Sequence, residues 1–284
     1  MYSARVGGSV TLVVLAMLCL LIGNAKARTF PAKKYGTVFG IPVFIPAEDC
    51  GLSSEGVDHV ASVLAEYLDS DLDGRVDNVK VQRALLDQRA CVVVSCAERE
   101  LAIDARKCRG GIEVWNDEIH PEGSSASRGF DATLEEVLHL VSQFGFAEAY
   151  PKIFGETTRS RVGKALRKAR GGVVGAGRNE YPAGSWFTYD DRTCDNACMV
   201  TEYFYWGLTS ILGGQEYPGR YDEIKREWRL NTKKKLKEGD KKLYNLLWGK
   251  RKTYRLPTRL PTGYYAKTDD GETIFERFPG IFQR

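Results

Sequence analysis

Several signatures are missing, and each absence closes off a class of function. No Asn-x-Ser/Thr sequon occurs in the 284 residues, so N-glycosylation is not implied. No Gly-x-Ser-x-Gly elbow is present, which removes the serine-hydrolase arrangement built on it. Gly171 to Gly177 is glycine-rich, but it lacks the Lys-Ser/Thr of a phosphate loop and no clear strand precedes it. An excess of one charge is lacking too. The 41 Lys and Arg nearly balance 37 Asp and Glu, which argues against nucleic acid as a main partner. Beyond Ile22 no run is long and apolar enough to span a bilayer, so no stable membrane insertion is expected. Internal repeats and low-complexity linkers are also absent.

What is present begins with a leader. Arg5 precedes an apolar core from Val10 to Ile22, and Ala25-Lys26-Ala27 supplies a small-x-small cleavage pattern. The core is shorter than a spanning helix and ends at Gly23 and Asn24. Residues 1–27 therefore read as a signal peptide, and 28–284 as a single secreted, extracellular domain. Of seven cysteines, Cys19 lies in the leader. Cys50, Cys91, Cys96, Cys108, Cys194 and Cys198 remain. An even set in an oxidising compartment suggests disulfides whose connectivity stays open. A zinc cluster is the weaker reading, because secreted thiols tend to oxidise.

Apolar spacing sets the fold expectation. Thr37 to Ile45 reads as a strand or strand pair, and Cys91–Val94 and Gly111–Trp115 as strands. Helical spacing covers Ser53–Leu68, Val79–Ala90, Thr133–Phe144, Ser160–Ala169, Met199–Leu212, Tyr221–Trp228 and Asp240–Trp248. Together these predict an α+β, predominantly helical single domain with a small sheet, stapled by disulfides.

Asp69-Ser70-Asp71-Leu72-Asp73-Gly74-Arg75-Val76-Asp77 matches the opening of an EF-hand-like calcium loop, spanning 69–80. Asp69, Asp71, Asp73 and Asp77 alternate so that one turn aims several oxygens at one ion, and Gly74 permits the bend. Position twelve, where a bidentate Glu would stand, is Lys80. The competing reading is an acidic surface turn.

Thr133-Leu134-Glu135-Glu136-Val137-Leu138-His139-Leu140-Val141 carries the second candidate. One helical turn brings Glu135 and His139 together. Glu202 is a lone acid in the apolar stretch Met199 to Trp206, costly there unless paired or metal-bound. The stretch resembles the His-Glu-x-x-His helix of zincin metallopeptidases, with Glu135 in place of the first His. The resemblance covers that nine-residue helix and, by analogy with the gluzincin branch, one later acid. It implies Glu135, His139 and Glu202 as metal ligands and Glu136 as general base. The extra carboxylate makes manganese or iron plausible beside zinc. The competing reading is structural: Thr133 and Glu136 form a capping box, and His139 is a buried histidine bonded to an acid.

The remaining histidines are weaker candidates. His59 reads as structural, and His120 lies in a loop that could join a site. Tyr189 to Asp195 is an acidic loop that could line a cleft near Glu202. The lysine run from Lys233 to Lys242 reads as a solvated face, with an anionic polysaccharide or membrane surface as the sharper alternative. Two functions follow. One is a secreted zincin-like metalloprotein, a metal-dependent hydrolase with a peptide or protein substrate. The other is a non-catalytic extracellular calcium-binding structural or interaction protein.

Overall fold

A computed structural model describes residues 30–96, 101–102, 107–265 and 282–283. The leader assigned to 1–27 lies outside the described residues. The architecture is α+β in one domain. The chain opens with a hairpin, β1 (Phe30–Val38) and β2 (Ile41–Pro46), turning at Phe39 and Gly40, both at positive φ. Two helices follow, α1 (Ser54–Leu68) and α2 (Val79–Asp87), and then strands β3 (Ala90–Ser95), β4 (Leu101–Ala102) and β5 (Gly110–Trp115).

The sheet runs β4-β1-β2-β3-β5. β2 and β3 are parallel, as are β3 and β5, while β1 and β2 are antiparallel. All six β3 residues are buried, as expected for a strand covered on both faces. Among the described residues, β5 is the edge strand at the far end from β4.

The rest is helical: α3 (Thr133–Leu140), α4 (Ala147–Ala149), α5 (Pro151–Phe154), α6 (Arg161–Ala169), α7 (Asn196–Leu212), α8 (Arg220–Ile224), α9 (Lys233–Gly239), α10 (Lys241–Tyr244) and α11 (Arg251–Tyr254). A short β6 (Phe282–Gln283) pairs with β1. α3 continues as a π-helical turn, Val141–Phe146, which packs on α2. A second π turn, Asn245–Gly249, follows α10.

α3 lies between the sheet and α7. It packs on β5, β3, α1 and α7. The Tyr67 hydroxyl on α1 donates to the Leu134 carbonyl at 2.8 Å, which fixes the start of α3. α7 is buried from Cys198 to Ile211, as its apolar circumference requires. Asp195 caps it by accepting from the Ala197 and Cys198 amides, and Gly213 ends it at φ 88°. α3 and α7 are therefore interior scaffolding, and polar groups on them need partners.

The six cysteines pair as Cys50–Cys96, Cys91–Cys108 and Cys194–Cys198. Disulfides of this number indicate an oxidising compartment. Among the described residues, no helix is long and apolar enough to cross a membrane.

The segment before residue 266 is tied down rather than loose. Glu66, fully buried on α1, accepts from the Thr262 and Gly263 amides at 2.9 and 2.8 Å. Gly263, at φ +75°, lies so close to His59 that a Cβ would sit 1.8 Å from its ring. His59 itself is structural: its Nε2 lies 2.8 Å from Asp131 Oδ2. Lys233 of the basic run places its ammonium 3.6 Å from the Trp248 ring centroid, and Lys233, Lys234, Lys237 and Lys241 line a surface cleft.

Candidate metal centre

Glu135 and His139 project from one face of α3, one turn apart, and Glu202 projects from the second turn of α7. Their ligand atoms all lie within 4.8 Å of one another. His139 Nε2 is 3.7 Å from Glu202 Oε2. His139 Nδ1 is 3.7 Å from Glu136 Oε2, so two acids flank the imidazole from opposite edges. His139 is 1% exposed and Glu202 3%.

The polar atoms here are unsatisfied. Both ring nitrogens of His139 and Oε2 of Glu202 are buried without a hydrogen-bond partner. A separation of 3.7 Å is too long for a hydrogen bond. Leaving such a group unpaired costs about 1–3 kcal/mol. An ion held at ~2.0–2.2 Å by tetrahedral ligands sets ligand atoms about 3.4 Å apart, close to the separation across His139 and Glu202. The spacing fits a shared ion better than a direct bond, and the Glu/His donor set is one that divalent metals use.

Electrostatics agree. Burial raises all three carboxyls above their ordinary range. Glu136 is pushed up to about 8 by burial and by Glu113. His139 draws Glu135 and Glu202 back down, but burial outweighs it. Carboxyls this starved of solvent recover their charge when a cation neutralises them.

The structural alternative fails at its own residues. Thr133 is not an N-cap: α3 starts from Ala132 without a side-chain cap, and Thr133 Oγ1 is buried without a partner. Asp131 takes the Thr133 amide instead, at 3.2 Å. No capping box holds Glu136, and His139 is not hydrogen-bonded to an acid.

The acidic loop places Asp69, Asp71 and Asp73 with oxygens within 4.8 Å of one another, between α1 and α2. Asp77 stands outside that group; its Oδ2 accepts from the Ser70 amide at 2.8 Å. Asp69 is fully buried and accepts from the Gly74 amide at 2.9 Å and from the Tyr265 hydroxyl. His120 does not join the α3–α7 group, and its amide donates to Asp131.

Of two aromatic residues near the centre, only Tyr205 escapes sequence reasoning. Tyr189 of the acidic 189–195 loop is buried, and its phenol is held protonated by burial and then by Glu202 and Glu135. Tyr205 packs edge-on against His139, ring centroids 5.5 Å apart. Its position three residues after Glu202, on the same face of α7, was the available signal.

Comparison of the chain with protein-family models, with curated proteins and with solved structures finds no match.

Proposed function

We propose that Glu135, His139 and Glu202 hold a divalent transition metal ion and that the protein is a secreted, zincin-like hydrolase of peptide bonds. The observation that carries the metal is that Glu135, His139 and Glu202 bring one ligand atom each within 4.8 Å of one another, where His139 Nε2 and Glu202 Oε2 are buried without a partner. The alternative of a purely calcium-stiffened binding protein leaves those atoms without an explanation.

An ion bound there would polarise a carbonyl and acidify a water. The chain supplies the rest. Glu136, next to Glu135 in sequence, would take the proton from that water and return it to the departing amine. Its proton affinity, near pH 8 before any cation binds, falls within the range a base needs once positive charge is nearby. Edge strand β5 runs alongside α3, and its outer edge offers backbone groups that an extended peptide can pair with.

Glu136→Gln tests the assignment. Metal content should be unchanged while peptide hydrolysis drops by roughly 10²–10⁴-fold, the usual worth of a general base. Wild-type turnover in this variant would remove Glu136 from the mechanism.

A second ion reading belongs to the acidic loop. The convergence of Asp69, Asp71 and Asp73 between two helices favours calcium in a structural role. With Lys80 in place of the bidentate Glu, affinity should fall in the weak extracellular class, about 10⁻⁴–10⁻³ M. Millimolar calcium should raise the melting temperature of the wild type and leave Asp71→Asn unmoved; equal shifts in both would exclude this site.

A further inference from the structure

Charge is not spread evenly along the chain. Residues 225–259 hold 14 Lys and Arg against three Asp and Glu, whereas the other 249 residues hold 27 against 34. A chain of formal charge +4 is thus a segment of +11 joined to a remainder of −7. The acids of the segment do little to offset it at the surface. Asp240 is 3% exposed and turned inward, where it accepts from the Trp186 indole at 2.9 Å, from the Tyr203 hydroxyl and from the Leu243 amide at 3.0 Å. Glu227 is partly buried, and burial raises its carboxyl to about 7. Of the three, only Glu238 is exposed.

Four of these lysines converge. Lys233, Lys234 and Lys237 of α9 and Lys241 of α10 line an open cleft of about 790 Å³. Glu216 and Glu238 share its wall, but among the described residues none of the four lysines forms a salt bridge. Lys237 stands one turn beyond Lys233, a like-charge spacing that works against the helix. The base beneath them is firm. Asp240 ends α9, starts α10 and ties both to Tyr203 on the buried helix α7. A cleft lined by one sign of charge concentrates its field, and this one lacks the negative charge that would neutralise it.

The neighbouring side chains narrow the class of anion. Lys233 lies 3.6 Å and the Arg251 guanidinium 4.2 Å from the Trp248 ring centroid, and Lys235 lies 3.7 Å from that of Tyr221. Rings engaged by the protein's own cations are not free platforms for stacked bases, on which single-stranded nucleic acid binding depends. A helix lying on a bilayer buries an apolar face in it. Of the exposed large hydrophobic side chains among the described residues, only Tyr221 adjoins this segment. Three disulfides indicate an oxidising compartment, where polysaccharides carrying sulfate or uronate groups, rather than nucleic acids, supply extended negative charge.

We infer that the α9–α10 cleft binds an anionic polysaccharide, whose sulfate or carboxylate groups meet the ammonium groups of Lys233, Lys234, Lys237 and Lys241. The inference does not depend on the metal reading.

Calorimetric titration of the purified protein at about 0.1 M salt tests it, with a heparin hexasaccharide, an alginate hexasaccharide, a short DNA duplex and phosphatidylserine vesicles as the four probes. Lys234→Gln/Lys237→Gln/Lys241→Gln removes three of the cleft cations and leaves Lys233 against Trp248. Arg83→Gln/Lys107→Gln/Lys152→Gln removes the same charge from exposed residues outside the segment. At least one oligosaccharide should bind the wild type more tightly than the duplex or the vesicles do, and the preferred sugar identifies the anionic group. The cleft variant should bind it roughly 10–100-fold more weakly, and the slope of log affinity against log salt should shrink by about 2–3. Its melting temperature should be no lower than that of the wild type, and the control variant should bind as the wild type does. Full affinity in the cleft variant, an equal loss in the control, failure of both sugars to bind, or equally tight binding of the duplex or the vesicles would each overturn the inference.

Discussion

Replacing His139 by alanine is expected to strip the ion from the purified protein. Elemental mass spectrometry should find about one divalent transition ion per chain in the wild type and background levels in the variant. The imidazole is the central donor, lying between the Glu202 and Glu136 carboxylates at 3.7 Å each. Losing it removes a direct ligand, so the loss should exceed the roughly 10–100-fold that an outer partner contributes. His59→Ala is the matched control. That ring is equally buried, but it is committed to Asp131 and pressed against Gly263, outside the metal group. It should therefore lower stability and keep the ion. Retention of the ion by His139→Ala, or a wild type carrying only calcium, would end the transition-metal reading.

The part of this centre that the sequence reveals is the part governed by local periodicity. Glu135 and His139 are one turn apart in any helix, and the apolar residues around them make that helix necessary. Glu202 was legible for a different reason: an acid in a stretch apolar on every side has to be compensated. Its nearness to His139 was not legible, since 62 residues lie between them and only the packing of α3 on α7 closes the distance. The same limit applies to the disulfides, whose pairing depends on β3 and β5 lying side by side and on where the loops carrying Cys50 and Cys96 meet.

Errors of local reading are equally instructive. Thr-x-x-Glu at 133–136 has the letters of a capping box, but Asp131 occupies that role from outside the motif. The helix expected to run to Phe144 changes to a π turn after Leu140, and that turn packs on α2, a tertiary demand that spacing does not encode. The strand or strand pair expected from Thr37 to Ile45 is a pair, folding back at Phe39 and Gly40 into a hairpin. Gln215 and Arg220 carry no sequence signal at all; only the turn after α7 brings them back onto Tyr205.

Buried acids make the second large effect, on stability against pH. Glu136 is raised to about 8, and Glu118, Glu156 and Glu227 to about 7, each chiefly by burial, from an ordinary 4.5. Between pH 4.5 and 8 the folded metal-free protein therefore holds protons that the unfolded chain has released. The contribution is complete below the unfolded value and is lost as pH climbs through the folded one. Each tenfold change in proton affinity is worth about 1.4 kcal/mol, and partial exposure of Glu118, Glu156 and Glu227 reduces their share. The metal-free protein should consequently melt roughly 10 °C lower at pH 8.5 than at pH 5.5. Metal acts in the opposite sense. Glu135 and Glu202 must be deprotonated to ligate, so rising pH relieves proton competition and strengthens binding, and binding to the folded state alone stabilises it. Saturating zinc should abolish the decline or reverse it. Scanning calorimetry at the two pH values, with and without zinc, gives four melting temperatures. A metal-free protein equally stable at both would mean that these carboxyls are solvated in the folded state, and zinc that stabilises no more at pH 8.5 than at pH 5.5 would mean that the ion does not displace protons from Glu135 and Glu202.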